Sequence, residues 1–141
     1  MASARVEYPG PPPKFLALFL LIVDIQMLLY WSAAAFRELR PSTLPQDHLY
    51  NDYYNPIMVA WNWSFFPLDM ILSVTGLVSV YWMRIRHPRW PILATFSLAL
   101  TFCAGLMAIA FWAIRREFDA LWWGSNAAYV VGALWFLARI K

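Results

Sequence analysis

Two aspartates interrupt apolar runs of this sequence, and they are the residues best placed to do chemistry. Asp24 is near the middle of the run from 15 to 36, and Asp69 is near the middle of the run from 57 to 83. A charged side chain in hydrocarbon costs at least about 2.5–3.5 kcal/mol, and such residues commonly mark ion or proton sites. We expect both carboxyl groups to lie within a few Å of one depth, the bilayer midplane.

These two acids have no counter-charge within the apolar parts of the sequence. No lysine, arginine or histidine occurs in the runs 15–36, 57–83, 91–114 or 120–137. Two facing ionised carboxylates would repel strongly in a low dielectric, so at least one is expected to be protonated at neutral pH. Otherwise a cation or water must come from outside the chain. We predict an acidic, aromatic-lined cavity at mid-membrane that opens toward the outer face.

Helical spacing assigns further polar residues to the same cavity. In the second run, the positions 62, 66, 69, 73 and 76 share one helix face, and Pro67 among them predicts a kink. In the first run, Trp31 shares the face of Asp24, whereas Gln26 and Tyr30 are predicted to point elsewhere. The predicted ligand- or proton-binding residues are Asp24, Asp69, Asn62, Ser73, Trp31, Trp122, Asn126 and Tyr129.

The segment HLYNDYYNP at 48–56 combines aromatic rings, amides and a carboxylate just before the second run. One interpretation is a cavity mouth that attracts cations through ring faces and carboxylates. Its residues would be Asp52, Tyr53, Tyr54 and Trp61. The other interpretation is an interfacial aromatic belt followed by a turn.

The elements that must position these residues are helices in a bilayer. The chain is 62% hydrophobic and only 13% charged, against about 25% charged in soluble domains. The four apolar runs are long enough to cross about 30 Å of hydrocarbon. We predict an all-α, four-transmembrane-helix bundle over 15–138, with an extended N-terminus at 1–14 and an outer loop at 37–56. The first run also resembles a cleaved signal peptide at Ser32–Ala35, but its length and Asp24 favour a retained helix.

Basic residues predict the orientation of this bundle. Arg5, Lys14, Arg84, Arg86, Arg89, Arg139 and Lys141 would lie on one side, seven in all. Arg37, Arg40, Arg115 and Arg116 would lie on the other side, four in all. The positive-inside rule then places both termini in the cytoplasm of a multi-pass cell-membrane protein.

Several classes of site are excluded by residue type. Cys103 is the only cysteine, so no internal disulfide and no multi-cysteine metal centre can form. His48 and His87 lie in separate polar segments, which gives too few ligands for haem or zinc. We expect no metal, no cofactor and no nucleic-acid partner. The expected partners are the lipid bilayer, a small cationic or hydrophobic ligand and a second copy of the chain.

Two stretches of the sequence resemble a known family. VDIQMLLYW at 23–31 and YNDYYNPIMVAWNWSFFPLDMILSVTGL at 50–77 are similar to the uncharacterised bacterial family that includes YvaD. The resemblance covers the first two runs and the loop between them, and is most specific in WNWSFFPLD. It implies a small bacterial inner-membrane protein with four helices. It implies no reaction and no catalytic residue.

Three functions stay open at this point. The first is a binding or transport protein whose acidic cavity takes protons or hydrophobic cations. The second is a non-catalytic accessory subunit in which Asp24, Asn62, Asp69 and Asn126 only hold the helices together. The third is an intramembrane enzyme with paired aspartates as acid and base, which no accompanying motif supports. We therefore expect no catalytic residues.

Overall fold

A computed structural model describes residues 14–40, 50 and 52–140, and this part of the chain is all-α. Its helices are α1 (Lys14–Leu39), α2 (Pro56–Ser64), α3 (Phe66–Arg84), α4 (Trp90–Arg115) and α5 (Ala120–Leu137). The predicted extended N-terminus, except for Lys14, and His48 of the outer loop lie outside the described residues.

Three stretches of the described chain are long and apolar enough to cross a membrane. They are Lys14–Leu39, Pro56–Arg84 and Trp90–Arg115. The fourth predicted span, α5, packs with the others but is not among these three, and it carries Ser125 and Asn126 in its middle. Its crossing of the bilayer stays a prediction.

The second stretch is divided into α2 and α3 at Phe65. The Phe65 N–H donates to the Asn62 carbonyl oxygen at 3.1 Å, and the chain then resumes as α3 with Pro67 in its first turn. Proline has no N–H and its ring clashes with the preceding turn, which explains why the ladder is interrupted here. The helix axis can therefore change direction one turn before Asp69.

The helices pack in the order α1, α3, α4, α5, and α1 makes only a limited contact with α5. A buried cluster joins Leu16 at the start of α1 to Met83 at the end of α3, Trp90 at the start of α4 and Ala133 near the end of α5. Neighbouring helices are therefore antiparallel. We call this end of the bundle the basic end, because Arg84, Arg86, Arg89 and Arg139 lie there, and the other end the loop end.

Small residues let α4 lie close to both of its neighbours. The Ser97 hydroxyl donates to the Leu72 carbonyl oxygen of α3 at 3.0 Å. On the side of α5, a Cβ at Gly105 would lie 2.9 Å from the Asn126 carbonyl oxygen, which is too close for any side chain. Tight packing and interhelical hydrogen bonds are the forces that associate helices in lipid, where no hydrophobic effect acts between them.

At the loop end, residues 52–55 connect α1 to α4. Asp52 accepts from Arg115 at 2.5 Å, while the Tyr53 hydroxyl donates to Glu38 at 2.7 Å and its ring lies 3.7 Å from the Arg37 guanidinium carbon. Burial raises the pKa of Tyr50, which packs beside Tyr53, to about 12. This turn is therefore tied to the ends of two helices, and the pairing of Arg115 with Asp52 was not expected from the sequence.

The ion pair between Arg115 and Asp52 is expected to add little stability. Both side chains are partly exposed, and exposed pairs typically contribute about 0–1 kcal/mol. We expect Asp52→Asn to lower the midpoint of thermal unfolding only slightly, with the difference disappearing in high salt. Thermal melts of the purified protein at low and high ionic strength measure this. A larger, salt-independent loss would mean that the turn holds the bundle together.

Candidate functional site

A cavity of about 210 Å³ lies in the half of the bundle toward the loop end. Every helix contributes to its wall, and α1 and α5 contribute the most residues. Its lining residues are Gln26, Met27, Tyr30, Trp31, Trp61, Asn62, Phe65, Asp69, Ala104, Ala108, Leu121, Trp122, Ser125, Asn126 and Tyr129.

Asp69 is the single carboxylic acid among the described residues of this wall, and no lysine, arginine or histidine of the described chain lines it. One carboxylate oxygen, Oδ2, accepts from the Trp31 indole N–H at 2.9 Å. The other oxygen, Oδ1, is buried and has no hydrogen-bond partner among the described residues.

Two asparagine amides lie in the same wall, in addition to Gln26. The Asn62 side-chain oxygen accepts from the Tyr30 hydroxyl at 2.6 Å, while its Nδ2 is buried without a partner in the described part of the chain. Asn126 donates from Nδ2 to the Trp122 carbonyl oxygen at 2.8 Å, within α5. The wall therefore combines a fixed carboxylate with oriented amide groups.

Aromatic rings form most of the remaining wall, and several are held by ring contacts. Trp31 packs against Phe66 at a centroid distance of 5.2 Å, and Tyr30 meets Trp122 edge-on at 6.1 Å. Trp61 stacks on Phe111 of α4 at 3.9 Å. Phe66, which helical spacing placed on the inward face, is exposed and does not line the cavity.

Asp24 lies outside this wall, in the interface between α1 and α3. It is fully buried, and its carboxyl group packs directly against Gly76, where a Cβ would lie only 2.7 Å from the carboxyl carbon. Neither carboxyl oxygen has a hydrogen-bond partner among the described residues, and the nearby hydroxyl of Ser73 on α3 has none either. Asp24 and Ser73 are therefore separated from the cavity by packing.

The register of α1 against α3 separates the two acids. Asp24 lies opposite Gly76, and Trp31 lies opposite Asp69, so both pairs are seven residues apart. Seven residues of helix correspond to about 10 Å along the axis. The expectation that both carboxyls share one depth is therefore wrong, because the contacts between the helices, rather than the centres of the apolar runs, set their relative heights.

The cavity brings together six of the eight predicted binding residues and leaves out Asp24 and Ser73. Of the predicted mouth, Trp61 lines the cavity, whereas Asp52 and Tyr53 are engaged at the loop end and Tyr54 is exposed.

The prediction that Gln26 and Tyr30 point elsewhere is wrong, because both residues line the cavity. Tyr30 reaches Asn62 because its ring is long enough to pass beside Trp31. The position of Gln26, a polar residue at the centre of an apolar run, could have indicated that it lines a cavity.

A known protein family matches almost the whole chain. Residues 16–141 match the model of DUF5360, a family of unknown function. The chain belongs to this family. Within DUF5360, it is 41% identical over 124 residues to the uncharacterized protein YvaD of Bacillus subtilis strain 168, a match that covers 88% of this chain and 90% of that protein. The resemblance to YvaD expected from the two sequence stretches is thereby confirmed, and it extends over the last two helices.

No solved structure matches this DUF5360 chain. The description of the family and the name of the Bacillus subtilis relative carry no activity, so function must be argued from the cavity itself. Two features of the cavity are chemically specific: a carboxylate with one free oxygen, and rings on several sides.

Proposed function

We propose that this protein is an integral membrane protein that binds compact hydrophobic cations in the cavity beside Asp69. The observation that carries the proposal is a buried carboxylate with one unpartnered oxygen in a wall that, in the described chain, has aromatic rings and no basic side chain. A cation would neutralise the carboxylate, and ring faces attract quaternary ammonium groups. A proton is the competing occupant of the same oxygen.

The size of the cavity supports a small ligand. Its volume of about 210 Å³ is below the range of about 300–1,000 Å³ that is usual for drug-sized ligands. A trimethylammonium group with one attached ring is a suitable test ligand. The large apolar share of the wall favours ligands that leave water easily, in contrast to strongly hydrated inorganic ions.

The proposed orientation places both termini in the cytoplasm and the cavity in the outer half of a bacterial cell membrane. Antiparallel packing gathers Lys14, Arg84, Arg86, Arg89 and Arg139 at the basic end, in keeping with the excess of positive charge expected on the cytoplasmic side. α5 would then be the fourth span. In this orientation the loop end faces outward, and Asp69 is nearer to it than Asp24.

Binding of benzyltrimethylammonium to the purified protein tests the proposal. We expect saturable binding, detected by calorimetry and by the fluorescence of Trp31, Trp61 and Trp122, which line the cavity. Asp69→Asn is expected to weaken binding at least tenfold, because it removes the charge but keeps an acceptor for the Trp31 indole. Lowering the pH is expected to weaken binding to the native protein, since protons compete for the carboxylate.

Two controls show whether cation binding depends specifically on the charge of Asp69. Glu38→Gln makes the same carboxylate-to-amide change at a residue that also accepts one hydrogen bond, from Tyr53, outside the cavity, and should leave binding unchanged. Neopentylbenzene, the neutral isostere, should show no dependence on Asp69. Equal binding of the cation by the native protein and by Asp69→Asn contradicts the proposal.

An accessory role is the second candidate function, and specific contacts favour it. The Trp31 bond to Asp69 and the Tyr30 bond to Asn62 both join α1 to the α2–α3 stretch, as interhelical hydrogen bonds would in a purely structural protein. No cation binding, together with unchanged folding of Asp69→Asn, would favour this function over the first.

A further inference from the structure

We infer that the cavity opens sideways to the lipid between α1 and α5 and accepts cations that carry a long alkyl chain, with the charged group at Asp69 and the chain in the bilayer. This inference rests on the proposed function and specifies its ligand class. It depends on how α1 and α5 meet, on which lining residues are exposed, and on the size of the cavity.

α1 and α5 touch at two levels and leave a gap between them. Toward the basic end, Phe19 of α1 packs against Gly132, and its ring meets that of Phe136 in a tilted arrangement at a centroid distance of 5.3 Å. Toward the loop end, Tyr30 meets Trp122. The eleven residues from Phe19 to Tyr30 span about 16 Å along α1. Between these two contacts, the cavity wall consists of residues from the facing sides of both helices.

Two residues at the edges of this gap are open to the outside although they line the cavity. Gln26 on α1 is exposed and Ser125 on α5 is partly exposed, whereas Asn126 and Tyr129 on the same stretch of α5 are buried. By contrast, the residues at the back of the cavity, Ala104 and Ala108 on α4, are buried. The cavity is therefore enclosed on the side of α4 and open on the side where α1 and α5 separate. We call this opening the α1–α5 window.

Gln26 gives the α1–α5 window a polar edge at the centre of α1. An amide that faces hydrocarbon loses its hydrogen bonds to water, so apolar residues are strongly preferred at such a position. Its neighbours on the exposed face of α1, Ile22, Ile25 and Leu29, are all aliphatic. The carbonyl dipole of an amide at this edge attracts a cationic group that passes from the lipid toward Asp69, and the amide hydrogen-bonds the water that accompanies it.

The ligand class follows from the dimensions and the chemistry together. The cavity of about 210 Å³ accommodates a trimethylammonium group but not a dodecyl chain as well. An enclosed cavity would thus reject dodecyltrimethylammonium, whereas a cavity with the α1–α5 window holds the head and leaves the chain in lipid. Amphiphilic cations also concentrate in the bilayer, next to this window.

The experiment compares dodecyltrimethylammonium and benzyltrimethylammonium on protein in lipid nanodiscs, with the amount dissolved in empty nanodiscs subtracted. We expect both to bind and to compete. Gln26→Trp, or Ser125→Phe from the side of α5, should narrow the α1–α5 window and lower the ratio of dodecyl to benzyl affinity at least tenfold. Leu29→Trp, which adds the same bulk on the exposed face of α1 outside the cavity, should leave the ratio unchanged.

Each outcome is decisive. Binding of the benzyl compound without the dodecyl compound overturns the α1–α5 window and leaves the proposed function standing. A ratio that responds equally to Gln26→Trp and Leu29→Trp also overturns the window. Loss of both ligands in Gln26→Trp and Ser125→Phe, together with a change in oligomeric state, would identify this face as a self-association surface and overturn the window. If neither compound binds the native protein, the proposed function fails as well.

Discussion

Replacing Gly76 with alanine is expected to destabilise the bundle by about 1–3 kcal/mol, the usual range for overpacking a well-packed core. A Cβ at this position would overlap the carboxyl group of Asp24, with only 2.7 Å to the carboxyl carbon. Asp24 is fully buried between α1 and α3, so it has no exposed space to move into. The two helices must therefore separate. The midpoint of thermal unfolding in detergent measures the loss.

Gly124→Ala is the matched control for this change, because a Cβ there meets no atom within 4 Å. In a helix, alanine is favoured over glycine by about 0.8–1.0 kcal/mol, so this variant should be slightly more stable than the native protein. Asp24→Ala should rescue Gly76→Ala, since it removes the group with which the methyl collides. A double-mutant cycle without coupling between the two positions would contradict the packing described for α1 and α3.

The helices and their buried faces could be predicted from the sequence because both depend on local periodicity. Apolar run lengths indicate the helices, and the spacing of Asn62, Asp69 and Ser73 correctly places these residues in the interior. The break near Pro67 is also a local property, since it depends on a missing N–H. The same reasoning predicted seven of the fifteen residues that line the cavity.

The relative heights of the helices could not be predicted in this way. Register depends on where two surfaces fit most closely, and here the small residue Gly76 receives the carboxyl group of Asp24. Gly76 is 52 positions from Asp24, and nothing in the sequence around it indicates that the two residues are in contact. The contact of Arg115 with Asp52 is equally non-local, since the partners are 63 positions apart in the sequence. The sequence therefore identified two buried acids but not their different surroundings.

These different surroundings predict opposite effects of removing the two acids. Asp24→Ala is expected to stabilise the protein by about 1 kcal/mol, because it removes a buried carboxyl without hydrogen-bond partners in the described chain and leaves only a small void. Asp69→Ala is expected to cost about 1–3 kcal/mol, because it leaves the Trp31 indole N–H buried and unpaired. Thermal unfolding of both variants at one pH in one detergent measures the difference.

Asp69→Asn separates the hydrogen bond from the charge. It retains an acceptor for Trp31, so its stability should be close to that of the native protein while its affinity for cations falls. A gain in stability for Asp24→Ala means that this acid does not serve the fold. Since native proteins rarely keep an unsatisfied buried polar group without a use, such a gain would point to a use of Asp24 other than stability. If Asp24→Ala instead destabilises as much as Asp69→Ala, both acids are structural and the asymmetry of the α1–α3 interface is refuted.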